Sequence, residues 1–322
     1  MLDNANAIII LCSHLCKGEG VVPLEPREWT AVAQKLLEAK KEPKDIFSFE
    51  EDDYKNILGL DGEQTDRYKR LIDRSASMAF EIEKLKSKGI YIITRADKNF
   101  PVQIKRKLGK QSPPLFYGCG DIGIANDACI GFVGSRNIDE SDGNFTRKVV
   151  STCLGEGYSI VSGGARGVDS VAAEVVLENG GVAIEFLADN MNNKIKDNKV
   201  LRRIKDERLL LLSAVVPDAG FSVGTAMQRN KFIYAQSIGT VVVKSEYNKG
   251  GTWAGAEENL KHGWAHTLCW QNDSYKGNRE LIAKGAIPIG EDFNPKNLTE
   301  LPKKEEVRQS TIFDFFDSQN DD

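Results

Sequence analysis

Residues 129–136 read CIGFVGSR, and residues 158–178 read YSIVSGGARGVDSVAAEVVLE. In each, a short apolar run ends in a glycine turn. In the second, the turn opens straight into a helix with apolar residues at three- and four-residue spacing. Four or five apolar residues without alternation suit a strand buried on both faces of a parallel sheet. Working outward, the pattern continues. Helices are expected at 142–156 and 168–178, strands at 181–187 and 208–214, a helix at 224–237, a strand at 240–243, and a helix at 252–261. Residues 266–270 close the series, and the basic stretch 194–208 reads as a further helix. Such alternation predicts an α/β fold: a doubly wound, mainly parallel Rossmann-like sheet covered on both faces.

Residues 1–86 lack this alternation. The segments 29–39 and 66–85 carry apolar residues at helical spacing, with joints at Pro43-Lys44-Asp45 and Leu60-Asp61-Gly62. Three or four short helices are expected there, forming a small helical N-terminal domain over 1–86. Residues 89–94 form a β-branched run, and 111–120 (QSPPLFYGCG) read as an extended Pro/Gly-rich connector. The sheet domain is expected over 87–290. Residues 291–322 are weakly apolar and rich in charge, the composition of a flexible acidic tail.

The chain has 322 residues, 41% hydrophobic and 28% charged, which is ordinary for a globular protein. Six cysteines include no CxxC pair, a pattern that fits reduced thiols in a cytoplasmic protein. Met1-Leu2-Asp3 has no basic leader, and no segment is apolar for long enough to span a membrane. The net charge is −4, yet residues 291–322 hold four Lys/Arg against nine Asp/Glu, so residues 1–290 are close to neutral. Within them, 194–208 holds seven Lys/Arg against three acids. That cluster suits either phosphate backbone or a solvated helix face.

Three glycine-bearing turns are expected at the carboxyl edge of the sheet. They are Gly134-Ser135-Arg136, Ser162-Gly163-Gly164-Ala165-Arg166-Gly167, and Lys249-Gly250-Gly251-Thr252. Each offers backbone N–H groups and the positive end of a helix dipole to an anion, and Arg136 and Arg166 add charged donors. Asp169 caps the following helix, orients Arg166, or belongs to the site. Neither a GxGxxG fingerprint nor a GxxxxGK[ST] loop is present, which disfavours a dinucleotide oxidoreductase or an NTPase. With only three histidines, no complete nucleophile–base set emerges, and neither the Cys12–Cys16 stretch nor His262, His266 and Cys269 has familiar zinc spacing. No metal or cofactor is expected.

The segment from Gly89 to Gly120, then GFVGSRN, SGGARGVDSVAAEVVLENGG, QRNKFIYAQS and GGTWAGAEENL, resembles the DprA/Smf family in motifs and in their order. The resemblance covers roughly 89–270. It implies a Rossmann-like core that binds single-stranded DNA, dimerises, and passes that DNA to a RecA-type recombinase. By motif, it puts Gly134, Ser135 and Arg136 in a first phosphate turn. Ser162, Gly163, Gly164, Arg166, Gly167 and Asp169 fall in a second. Arg229, Asn230 and Lys231 stand at the family's Arg-Asn-Arg position, and Gly250, Gly251 and Thr252 form the third turn. Two places depart from the family: Ala173 stands where a histidine is usual, and Ala226-Met227 where an aromatic-proline pair is usual.

The third turn also loosely resembles the Gly-Gly-Gly-Thr-x-x-Glu motif of the Lonely Guy nucleotide phosphoribohydrolases, with Glu257 as the carboxylate and Trp253 where glycine is expected. A nucleotide-binding sensor or such a hydrolase is therefore the alternative reading. In the tail, QSTIFDFF (309–316) matches a sliding-clamp peptide, with Gln309 to set register and Ile312, Phe313, Phe315 and Phe316 as apolar plugs.

Overall fold

The structure is a computed structural model, described over residues 3–16 and 20–299. It divides into two compact units. The first takes residues up to Phe100 together with Leu108–Gly118, and the second takes Pro101–Lys107 and the residues from Cys119 on.

The first unit contains α1 (Asn4–Cys12), α2 (Pro26–Glu38), α3 (Glu51–Asn56), α4 (Gly62–Asp73) and α5 (Ser75–Lys86). The strand β1 (Tyr91–Thr94) then pairs antiparallel with β2 (Leu115–Cys119). Helix starts are set by local chemistry. Asp3 and Asp61 accept the amides of Asn6 and Gln64, and Pro26 stands in the first turn of α2. Among the described residues, five α-helices replace the expected three or four. The overlooked one, α1, is buried from Ala7 to Cys12, so it shows no polar face for periodicity to detect. Likewise 111–120 is more than a connector, because its LFYGC portion is the fully buried strand β2. Buried Arg74 closes α4 onto α1 by donating to the carbonyls of Ile10 and Ser13 at 2.5 and 2.9 Å.

The second unit opens with α6 (Val102–Leu108) and builds a parallel sheet from seven strands. These are β3 (Cys129–Val133), β4 (Ser159–Ser162), β5 (Ala183–Leu187), β6 (Leu209–Ser213), β7 (Gly239–Val242), β8 (His266–Trp270) and β9 (Ile287–Ile289). Their order is β6-β5-β4-β3-β7-β8-β9, every neighbouring pair parallel. The connecting helices are α7 (Glu140–Gly155), α8 (Val168–Glu178), α9 (Met191–Lys194), α10 (Asn198–Lys205), α11 (Val223–Gln236), α12 (Gly250–His262) and α13 (Lys276–Ala283). Helix α7 packs along α8, and α11 along α12. Right-handed crossovers put these two pairs on opposite faces of the sheet. The fold is thus the expected doubly wound α/β sheet. Strands β3 to β7 are buried at every position, which explains why they are largely apolar and show no alternating polar face.

The series does not close at Trp270 but continues through α13 and β9. Strand β9 has only three residues and a proline at its centre, tolerable at a sheet edge and too brief to form a pattern. The stretch 194–208 is not one basic helix. It is the end of α9 plus α10, and Lys194 turns inward to pair with buried Glu185 at 2.9 Å.

The strand order decides where a ligand can sit. Chain order runs outward from β3 through β4, β5 and β6, then returns to place β7 on the other side of β3. Helices leave the sheet in opposite directions at that point and open a crevice beyond the strand ends.

Candidate nucleic-acid interface

A cleft of about 450 Å³ occupies this crevice. Its floor is the end of β3, where Val133, Gly134, Ser135 and Arg136 line it. The turn is held from two sides. The Ser135 amide donates to Lys244 O at 3.1 Å, and Ser135 Oγ receives the Asn137 amide at 3.0 Å. A side chain at Gly134 would run into Val168, so glycine is what lets α8 approach β3. Arg136 remains exposed, its guanidinium 4.7 Å from the centre of the Phe221 ring.

One wall is the start of α11 and the segment before it. Ser222 caps this helix by accepting the Thr225 amide at 3.0 Å. Phe221, Val223 and Met227 line the cleft here while remaining 51%, 68% and 44% exposed. The opposite wall is the loop between β7 and α12, where Lys244, Glu246, Lys249, Gly250, Gly251 and Thr252 take part. Lys249 occupies the N-cap of α12 and makes no side-chain cap bond, so the first amides of a 13-residue helix are not capped by it. Such amides suit a phosphate. Asn230 steadies this turn by donating Nδ2 to Gly251 O at 3.0 Å.

Beneath the cleft lies a buried ion pair. Arg229, 7% exposed, donates Nη1 to Phe186 O at 3.0 Å and stands 3.8 Å from Asp169 Oδ2. The same carboxylate oxygen accepts the Gly163 amide at 3.0 Å. Burial pushes the Asp169 carboxyl above its ordinary value, while Arg229 and the Ala165 and Gly163 amides pull it down. Burial also lowers the Arg229 guanidinium, and Asp169 opposes that. Gly163 leaves the guanidinium its room, since a Cβ there would collide with it. Gly164 and Gly167 have φ of +62° and +85°, so the second turn needs glycine for its path as well.

The site residues expected from sequence therefore fall into two groups. Gly134, Ser135, Arg136, Asp169, Arg229, Asn230, Gly250, Gly251 and Thr252 all line the cleft. Ser162, Gly163, Gly164, Arg166, Gly167 and Lys231 do not. Arg166 is exposed elsewhere, Ser162 and Gly163 are buried behind the turn, and Lys231 lies 5.7 Å from the Phe232 ring. Asp169 pairs with Arg229, not with Arg166.

Lys244 was not singled out by sequence, although it stands two residues beyond the end of β7, beside the turn that follows β3. Its ammonium is 2.7 Å from Asp142 Oδ2 and 4.8 Å from the Tyr275 ring centre. Asp142 is fully buried and also accepts Tyr275 OH at 2.7 Å. Burial is the largest influence and works against the Lys244 charge, but the hydrogen bond it donates to Asp142, the Asp142 charge and Tyr275 together outweigh it and raise the pKa. Lys244 is thus a brace under the first turn with its charge already matched.

Glu257, the carboxylate of the hydrolase alternative, lies outside the cleft lining and is paired with Lys284 at 2.8 Å. Among the described residues, no group of three or more His, Cys, Asp or Glu side chains could hold a metal. Burial pushes the thiols of Cys129, Cys153 and Cys269 up to about 12. No described helix is long and apolar enough to cross a membrane. The clamp-like segment with Gln309, Ile312, Phe313, Phe315 and Phe316 lies outside the described residues.

Sheet order, switch-point cleft and uncapped helix start define a Rossmann-like protein whose cleft suits a phosphate-bearing ligand. The chain belongs to the DNA recombination-mediator protein A family, whose sequence pattern matches residues 91–299. Among solved structures it is similar to DNA processing protein A (DprA) of Streptococcus pneumoniae. That match is 19% identical, covers 94% of this chain and 99% of the other, and has a TM-score of 0.72. It is also similar to DNA processing protein A of Helicobacter pylori, described for its single-stranded DNA binding mode. There the identity is 21%, the coverage 66% of this chain and 94% of the other, and the TM-score 0.51. No curated protein sequence matches the chain.

Proposed function

We propose that this protein binds single-stranded DNA in the switch-point cleft and acts inside the cell in DNA recombination, repair or uptake, with no chemistry of its own. The observation that carries this reading is the meeting of the first and third glycine turns around one cleft, with exposed Arg136 at its mouth and the Arg229–Asp169 pair beneath. Backbone amides at helix starts and a guanidinium are sequence-blind partners for phosphate. Exposed apolar side chains on the α11 wall suit unpaired bases, which a duplex keeps turned inward. Family membership and the single-stranded DNA binding described for the H. pylori relative support the same ligand. The test is fluorescence anisotropy of labelled oligonucleotides in a salt titration. Single strands should bind tighter than duplex, with affinity falling as salt rises. Equal affinity for duplex, or no binding at low salt, refutes the proposal.

The hydrolase alternative needs a carboxylate in the cleft beside α12, and the Glu257–Lys284 pair leaves Glu257 outside it. Nucleoside monophosphates should release no free base. Release that is lost in Glu257→Ala would favour the hydrolase.

Around this core we place a homodimer that passes DNA to a RecA-type recombinase and is recruited by a sliding clamp through 309–316. A peptide of those residues should bind a clamp with micromolar affinity, on the order expected for a short segment that orders on binding. In the mode where Ile312, Phe315 and Phe316 fill the pocket, Phe313→Ala should be mild. In the mode that rests on Ile312 and Phe313 it should be severe. A peptide that binds neither a bacterial-type nor a PCNA-type clamp removes recruitment from the proposal.

A further inference from the structure

Tyr247 has no part in the cleft described above, yet it is built as though it had a task. It sits in a tight turn between β7 and α12, where the Lys249 amide donates to Glu246 O at 3.3 Å. Asn248 takes the left-handed conformation, with φ of 55°. The turn leaves Tyr247 at its tip, 39% exposed. Both residues that close the turn, Glu246 and Lys249, line the cleft, so Tyr247 stands on the rim.

The ring is held in place. It packs edge-on against buried Trp253, with centroids 5.1 Å apart and planes at 82°. The Lys276 ammonium lies 4.5 Å from its centre. Below the turn, Asn278 accepts the Ser245 amide at 2.9 Å and donates to the carbonyls of Val243 and Trp270 at 2.9 and 3.0 Å. Gly277 packs so closely on the Ser245–Glu246 backbone that no side chain fits there. The start of α13 is therefore locked under the turn, which fixes Lys276 beside Tyr247. Lys249 and Lys276 are both exposed, and Glu246 is ion-paired with Lys249 at 3.4 Å.

A rigid exposed aromatic ring with one lysine ammonium 4.5 Å from its centre and a second lysine two residues along the turn, on the rim of a phosphate-suited cleft, matches the chemistry of one nucleotide. A base stacks on the ring and its phosphate meets an ammonium. We infer that Tyr247 and Lys276 form a second nucleotide subsite, taking the base and phosphate of a residue of the same strand next to the one held in the cleft. This rests on the reading that the cleft takes single-stranded DNA. A protein partner fits less well, because the patch is one ring flanked by charge and not a contiguous apolar face.

The experiment uses the full chain and a labelled oligothymidylate strand, with a set of strands carrying one abasic nucleotide moved along the sequence. Tyr247→Ala should weaken binding about tenfold, the range for loss of one base–aromatic stack, and Tyr247→Trp should restore it. In the wild type, an abasic nucleotide at one position should cost a similar factor, and in Tyr247→Ala that position should cost nothing more. Lys276→Met should lower the slope of log affinity against log salt by about one. The inference is overturned if Tyr247→Ala binds as the wild type does, or if its abasic profile is unchanged. If the wild type binds no oligonucleotide, the cleft reading itself has failed. That outcome is separate from a wild type that binds with no share from Tyr247. Thermal melts distinguish loss of a stack from loss of fold, and the Trp variant with the abasic profile decides the matter even where Tyr247→Ala is destabilised.

Discussion

Arg136 reaches solvent at the mouth of the cleft, whereas Arg229 is enclosed beneath it between Phe186 and Asp169. The two arginines should therefore respond differently to removal. Arg136→Ala should weaken oligonucleotide binding and leave the thermal midpoint close to wild type. Arg229→Ala should strip Asp169 of its partner, at about 3–5 kcal/mol for a buried pair broken on one side, and should lower both stability and binding. Urea melts and anisotropy on the same samples separate these outcomes. From sequence alone both arginines fall in the motifs of one phosphate site and nothing separates them, because direction and burial are tertiary properties. Their motifs were legible, but the packing against Val168 and Arg229 that makes Gly134 and Gly163 necessary was not. A residue-scale prediction also arises in the first unit, where Arg67 donates to both Glu28 oxygens at 2.7 and 3.0 Å. That hydrogen bond, the largest cause, holds the Glu28 carboxyl below its ordinary 4.5. Its contribution is fully present above pH 4.5 and fades as pH falls through the lowered value. Both side chains are partly exposed, at 29% for Arg67 and 41% for Glu28, so solvent screening keeps the effect small. Acid titration of Glu28→Gln should show a shallower loss of stability below pH 4.5 than the wild type.

At the scale of elements, Asn278 on α13 ties the end of β8 to the strand exit that forms one wall of the cleft. Asn278→Leu would leave the Ser245 amide and the carbonyls of Val243 and Trp270 without this partner. Each orphaned buried group costs about 1–3 kcal/mol, so a large fall in the unfolding midpoint is expected from calorimetry. Tyr247 would loosen with it, so strand binding should drop as well. Strands β3 to β8 and helices α7, α8, α11 and α12 were legible to within about two residues, because each is bounded by glycine or charge and carries one clear period. The elements that escaped share a cause. Helix α1 is apolar on every face, β2 follows a double proline, and β9 is three residues around Pro288, so none presents the contrast that periodicity measures. Lys244 escaped for another reason. Its importance comes from Asp142, which stands more than a hundred residues before it.

Across the whole molecule, the overall charge of −4 conceals a body that is near neutral once residues 291–322 are set aside. Binding in the cleft should therefore depend on local charge, and a chain ending at residue 299 should bind oligonucleotide as the full chain does. A several-fold loss on that truncation, measured by anisotropy at matched salt, would mean that residues beyond 299 contribute to the DNA site. The sheet order has one more consequence, and it concerns synthesis. On the ribosome, β3 is complete at residue 133, while its inner neighbour β7 begins only at residue 239. Through that interval the nascent chain can assemble β3 to β6, yet the inner edge of β3 has no partner. Unpaired apolar strand edges invite pairing with other chains, and long-range parallel pairing is slow to form. A fragment stopping short of β7 would carry both arginine-bearing turns, have no cleft, and offer an open strand edge in its place.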